Sequence, residues 1–100
     1  MQITLEDFRT IVRNTLRGFA RVRLPEGIIL HDVAIHIRDG RPWAAPPGRP
    51  MVGRDGRQLK DAAGKPQFSP TLTFTSRADQ EAFSNTIIEA LRRTHPEALQ

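Results

Sequence analysis

The chain contains no cysteine. That excludes a disulfide framework, a thiolate metal centre and a cysteine nucleophile, leaves stability to packing alone, and fits a reducing compartment. No apolar run approaches the ~20 residues of a membrane-spanning helix. The opening "MQITLEDF" has neither the basic leader nor the apolar core of a signal peptide, so a soluble, cytoplasmic protein is expected. Ordered phosphate-binding glycines are missing too, since "GRDGRQLKDAAG" lacks the pattern and lysine of a P-loop. Tryptophan occurs once, and lysine supplies only two of the 15 basic side chains.

The other 13 are arginine, whose planar fork suits phosphates, carboxylates and stacked rings. Against 11 acids the net charge is +4, a modest excess that is unevenly spread. Residues 9 to 23 hold Arg9, Arg13, Arg17, Arg21 and Arg23 with no acid, and residues 38 to 65 hold seven bases against Asp39, Asp55 and Asp61. From residue 66 on the chain is slightly acidic. Such asymmetry points to an anionic partner, although a charged cluster also serves as an ordinary solvated face.

One hundred residues suit a single domain that buries ~60 to 65 % of its unfolded surface. A first strand is expected around Phe8 to Val12, followed by "RNT" as a turn. "LRGFARVRL" alternates as a second strand, with Leu16, Ala20, Val22 and Leu24 on one face and Arg17, Phe19, Arg21 and Arg23 on the other. "PEG" then turns the chain back into "IILHDVAIHIR", whose core face is read as Ile29, Val33, Ile35 and Ile37. The extra apolar pair Ile28 and Leu30 implies partial cover or a bulge. Asp39-Gly40 is the strongest hairpin signal, leading to the edge strand "RPWAA".

Residues 46 to 66 carry Gly and Pro every few positions and read as a basic loop or a loose hairpin about "RDGR". "QFSPTLTF" returns to strand character. The end, residues 76 to 95, is a helix capped by Ser76, with Phe83, Ile87, Ala90 and Leu91 as its apolar stripe and Pro96 beyond it. The fold class is therefore α+β, one domain over residues 1 to 100, with an antiparallel meander of four or five strands and one C-terminal helix packed on it. No internal repeat is evident.

Catalytic and metal chemistry find little support. On a regular strand His31 points away from Asp32 and His36, His95 is remote, and no further ligand joins them, so His31 reads as a half-buried histidine. Ser69, Ser76 and Ser84 sit in no nucleophile elbow, and Asp79 and Glu81 read as helix-capping charges. No enzyme activity and no cofactor are expected.

The unit "GFARVRLPEGIILHDVAIHIRDGRPWAAPP" resembles the stage V sporulation protein G family of small bacterial proteins. The shared pattern is Ala20 to Leu24, Leu30-His31-Asp32-Val33, Gly40 and Ala45-Pro46, with Asp55-Gly56 and the terminal helix in family order. Uncharacterised phage and prophage relatives look similar through "NTLRGFA", "WAAPP" and "AFS". The resemblance covers about nine tenths of the chain and implies a sheet-plus-helix homodimer. It further implies a regulatory protein that binds DNA and, in some members, RNA. Family members use basic positions near the start of the helix, and here Arg77 stands among Asp79, Glu81 and Glu89.

Two readings follow. In the first the chain is a dimeric nucleic-acid-binding protein. Arg13, Arg17, Arg21 and Arg23 then meet phosphates, Phe19 or Trp43 stacks on bases, and Arg49, Arg54, Arg57 and Lys60 form a basic arm. In the second it is a protein-interaction or structural module of bacterial or phage origin, whose arginines meet acidic protein surfaces and whose proline-rich loop docks a partner; Trp43 then plugs a core edge or a dimer interface. Neither reading involves a membrane or a small-molecule substrate.

Overall fold

The computed structural model describes residues 2–100. Strands β1 (Thr4–Arg13), β2 (Leu16–Arg23), β3 (Ile29–Arg38) and β4 (Arg41–Ala45) form one antiparallel sheet in the order β1-β2-β3-β4. β5 (Gly48–Pro50) pairs with β6 (Phe68–Pro70), and helix α1 spans Arg77–Thr94. This is the α+β meander with a C-terminal helix that the sequence predicts, although β1 begins at Thr4 and "QFSPTLTF" contributes only three residues of strand.

Turn chemistry sets the connections. Asn14 (φ 55°) turns β1 into β2, Glu26 and Gly27 (φ 67° and 76°) turn β2 into β3, and Asp39-Gly40 (φ 51° and 76°) closes the β3–β4 hairpin. Two successive positive φ values are what a two-residue hairpin needs to match strand twist, and Asp-Gly supplies them cheaply. Ser76 caps α1, its side chain accepting the Asp79 N–H at 3.1 Å.

The core lies between one face of the sheet and α1. Ala20, Val22, Val33, Ile35 and Ala44 meet Phe83, Ile87, Ile88 and Leu91, with Phe74 tilted against Phe83 at 5.1 Å. The expected helical stripe is thus the buried one, widened by Ile88.

Bulges correct two face assignments. Ala20 pairs with Val33 but Val22 pairs with Leu30, so β3 carries one extra residue at His31-Asp32, where Asp32 takes φ 59°. Leu30 consequently turns toward the core, Ile29 turns outward, and His31 is exposed rather than half-buried. In β2, Leu16 pairs with His36 while Gly18 pairs with Ile35, which places the extra residue at Arg17. Leu16 therefore leaves the face of Ala20 and Val22 and joins the opposite one, because a one-residue slip flips every side chain beyond it.

The Pro/Gly-rich segment, where no internal repeat was evident, holds a repeat of eight residues in its backbone bonds. The Met51 N–H donates to Gln67 O (2.9 Å), Leu59 N–H to Met51 O (2.7 Å) and Gln67 N–H to Leu59 O (2.9 Å), a closed ring of three bonds. Between them stand two like turns: Gly53 N–H to Arg57 O with Gly56 N–H to Gly53 O, and Asp61 N–H to Lys65 O with Gly64 N–H to Asp61 O. Residues 48 to 70 are therefore two small hairpins on the β5–β6 stem, arranged about a central triangle. Gly56 and Gly64 occupy the positive-φ position of each tip (78° and 81°).

Candidate nucleic-acid interface

Because α1 covers one face of the sheet, the other is left uncovered by any helix. Its side chains follow from register, since directly paired residues point the same way. Thr4, Arg23 and Ile29 make one row, then Asp7 and Arg21 beside the bulge, then Arg9, Phe19, Ala34 and Ala45. Arg13, Leu16, His36 and Trp43 make the next, and Arg38 opposite Arg41 ends the face at the β3–β4 turn.

Six arginines thus share one surface with three rings. Arg9 holds its guanidinium 5.7 Å from the Phe19 ring centroid and lies 4.0 Å from Asp32, while Arg23 pairs with Glu6 at 3.1 Å. Arg13, Arg21, Arg38 and Arg41 make no ion pair among the described residues, although Asp7 stands opposite Arg21 in register. Arg38 directly across from Arg41 is an unfavourable like-charge pair, a cost that folding alone does not explain.

His36 and Trp43 stack with centroids 5.1 Å apart and planes 11° from parallel. Nδ1 of His36 is hydrogen-bonded to Thr15 Oγ1 at 2.9 Å, which fixes the imidazole, and Trp43 remains 37 % exposed. Burial lowers the His36 pKa below the ordinary 6.5 because it disfavours the charged ring. Neutral His36 then lies flat under the indole.

Of the residues expected to bind, Arg13, Phe19, Arg21, Arg23 and Trp43 are brought together here. Arg17 is not available in the same way: its Nη1 donates to Asn14 O (2.8 Å) and Leu16 O (3.0 Å), tying the β1–β2 turn. Arg49 lies in β5, and Arg54, Arg57 and Lys60 lie on the two small hairpins, where Arg57 sits 4.0 Å from Asp55. Arg38, Arg41 and His36 belong to the face yet escape a reading of the basic block alone. The Asp39-Gly40 hairpin was the available signal, since a two-residue turn places Arg38 opposite Arg41.

An open groove of about 1530 Å³ runs over this face from Arg9, Phe19, Ala34 and His36 past Trp43 to Pro46, Pro47, Phe68 and Pro70, and reaches the start of α1. The charges lining it balance, as Arg9 faces Asp32 and Arg77 bonds Glu81 at 3.3 Å. The first turn of α1 is likewise spent internally, with Asp79 Oδ2 accepting the Thr75 hydroxyl at 2.8 Å. The His31, Asp32 and His36 set forms no metal site, and no metal-binding group of side chains occurs among the described residues. No helix among the described residues is long and apolar enough to cross a membrane. No family model, curated protein or solved structure matches the chain.

Proposed function

We propose that this protein binds nucleic acid through the uncovered face of its sheet, as a homodimer of the kind that the resemblance to the stage V sporulation protein G family implies. One observation carries the reading: Arg13, Arg21, Arg38 and Arg41, without ion-pair partners among the described residues, share a sheet face with the stacked His36–Trp43 rings. Arginines supply phosphate contacts, and rings beside them supply surfaces on which bases lie. The acidic start of α1 supports the sheet over the helix in this reading, and the basic hairpins of Arg54, Arg57 and Lys60 add charge nearby in the chain.

Fluorescence anisotropy with labelled DNA and RNA, at low and physiological salt, tests this. Four neutralised phosphates give a log–log salt slope of about −3 to −4. No binding of any single- or double-stranded nucleic acid at low salt refutes it. The charge-balanced, proline-walled groove favours a second reading, a docking site for a protein segment. Pull-down of one defined protein after nuclease treatment, abolished by Phe68→Ser, supports that instead.

A further inference from the structure

We propose that this face takes single-stranded nucleic acid, with one unpaired base stacked on Trp43 and its backbone phosphates on Arg38 and Arg41. The inference rests on the reading that the face binds nucleic acid and goes on to name the strand state. Trp43 stacks its indole against His36, in planes 11° apart, yet the residue is still 37 % exposed and lines the open groove, so indole surface remains there for a further planar group. The faces of bases within a duplex are covered by their neighbours, and only an unpaired base can lie flat on a side chain.

The surroundings of the ring pair fit a strand. Arg38 and Arg41 stand in the adjoining row, ~7 Å along the sheet by strand rise, and Arg13 shares the row of Trp43. Phe19 is the second platform, two strands across and one row along, ~12 Å from Trp43 by the same spacings. Ala34 and Ala45 occupy the same row as Phe19, so the floor there is low and flat. Charge complementarity selects the occupant: arginines at the turn end take phosphates, and rings inside them take bases.

Trp43 is the only tryptophan, so its emission reports on the site directly. The intact protein is titrated at low salt with an oligothymidylate of about 12 nucleotides, and with the same strand paired to its complement. The expected result is at least roughly tenfold tighter binding of the single strand, with quenching of Trp43 emission at saturation. Trp43→Leu loses about tenfold in single-strand affinity, and Trp43→Phe, which keeps a ring on His36, retains most of it. Equal or tighter binding of the duplex, unchanged emission at single-strand saturation, or a folded Trp43→Leu with full affinity overturns the proposal while leaving nucleic-acid binding intact. Binding of neither probe, nor of RNA strands of the same length, single or paired, overturns the underlying reading as well.

Discussion

The phenyl ring of Phe8 fills the space over the Cα of Gly18, so a methyl group at residue 18 meets that ring and the carbonyl oxygen of Arg9. The ring can turn aside, but the carbonyl belongs to the β1–β2 ladder, where Arg9 pairs with Phe19 and Thr10 with Gly18. Gly18→Ala is therefore expected to cost about 1–3 kcal/mol, read as a lowered midpoint in urea with an unchanged slope. Adding Phe8→Ala does not restore the loss, because the backbone overlap remains and the contact of Phe8 with His95 is lost.

A second expectation concerns the seam between sheet and helix. β4 is an edge strand, and its Ala44 N–H, which finds no further strand, donates to Ser84 Oγ on α1 at 2.9 Å. Ser84→Ala leaves that N–H without a partner at a buried residue. The cost is about 1–3 kcal/mol. Hydrogen exchange separates this from a general loosening: the Ala44 amide speeds up relative to those of β2.

The elements were legible where side-chain period and turn chemistry agree. β2, β3, the Asp39-Gly40 hairpin and α1 follow from alternation, from a positive-φ pair and from a capped apolar stripe. The bulges at Arg17 and Asp32 were not, because an extra residue changes which face follows without changing composition; only the surplus apolar pair Ile28 and Leu30 hinted at one. The triangle of Met51, Leu59 and Gln67 escaped for another reason. Its hairpins repeat backbone bonds at a spacing of eight residues, and in the side chains only Gly56 with Gly64, Arg57 with Lys65 and the apolar pair Met51 and Leu59 carry that spacing, over too few residues to stand out as a repeat. In the site, Arg13, Phe19, Arg21, Arg23 and Trp43 could be grouped by strand. Arg38 and Arg41 needed the register of a different hairpin, and the bonds of Arg17 Nη1 to the turn at Asn14 and Leu16 depend on the bulge.

His36 makes stability depend on pH. Its pKa is lowered in the fold by burial, and the charged groups in its own row and in the row toward the β3–β4 turn are Arg13, Arg38 and Arg41, with no acid among them, while Asp7 and Asp32 lie farther along the face beside Arg21 and Arg9. The unfolded chain then binds the proton more readily, so stability rises with pH in the interval between the lowered pKa and 6.5. The full contribution is present above 6.5 and is lost as pH falls through the lowered value. Thermal melts from about pH 8 to 5 should show a decline that His36→Gln flattens. An equal decline in both proteins refutes the assignment.

Arg38 and Arg41 should separate stability from binding. Directly opposed cations across a ladder repel, by up to about 1 kcal/mol at such a position, and no acid among the described residues closes an ion pair with either. Arg38→Gln keeps a long polar side chain and removes one charge, so its melting temperature should equal or exceed that of the parent. If the pair exists to hold phosphate, the same change weakens nucleic-acid binding and makes the log–log salt slope shallower by about 1. Arg38→Gln and Arg41→Gln should act alike on the slope, whereas Arg77→Gln, at the helix start beside Glu81, should leave it unchanged. A folded Arg38→Gln/Arg41→Gln protein with the parental slope would remove the turn end from the interface.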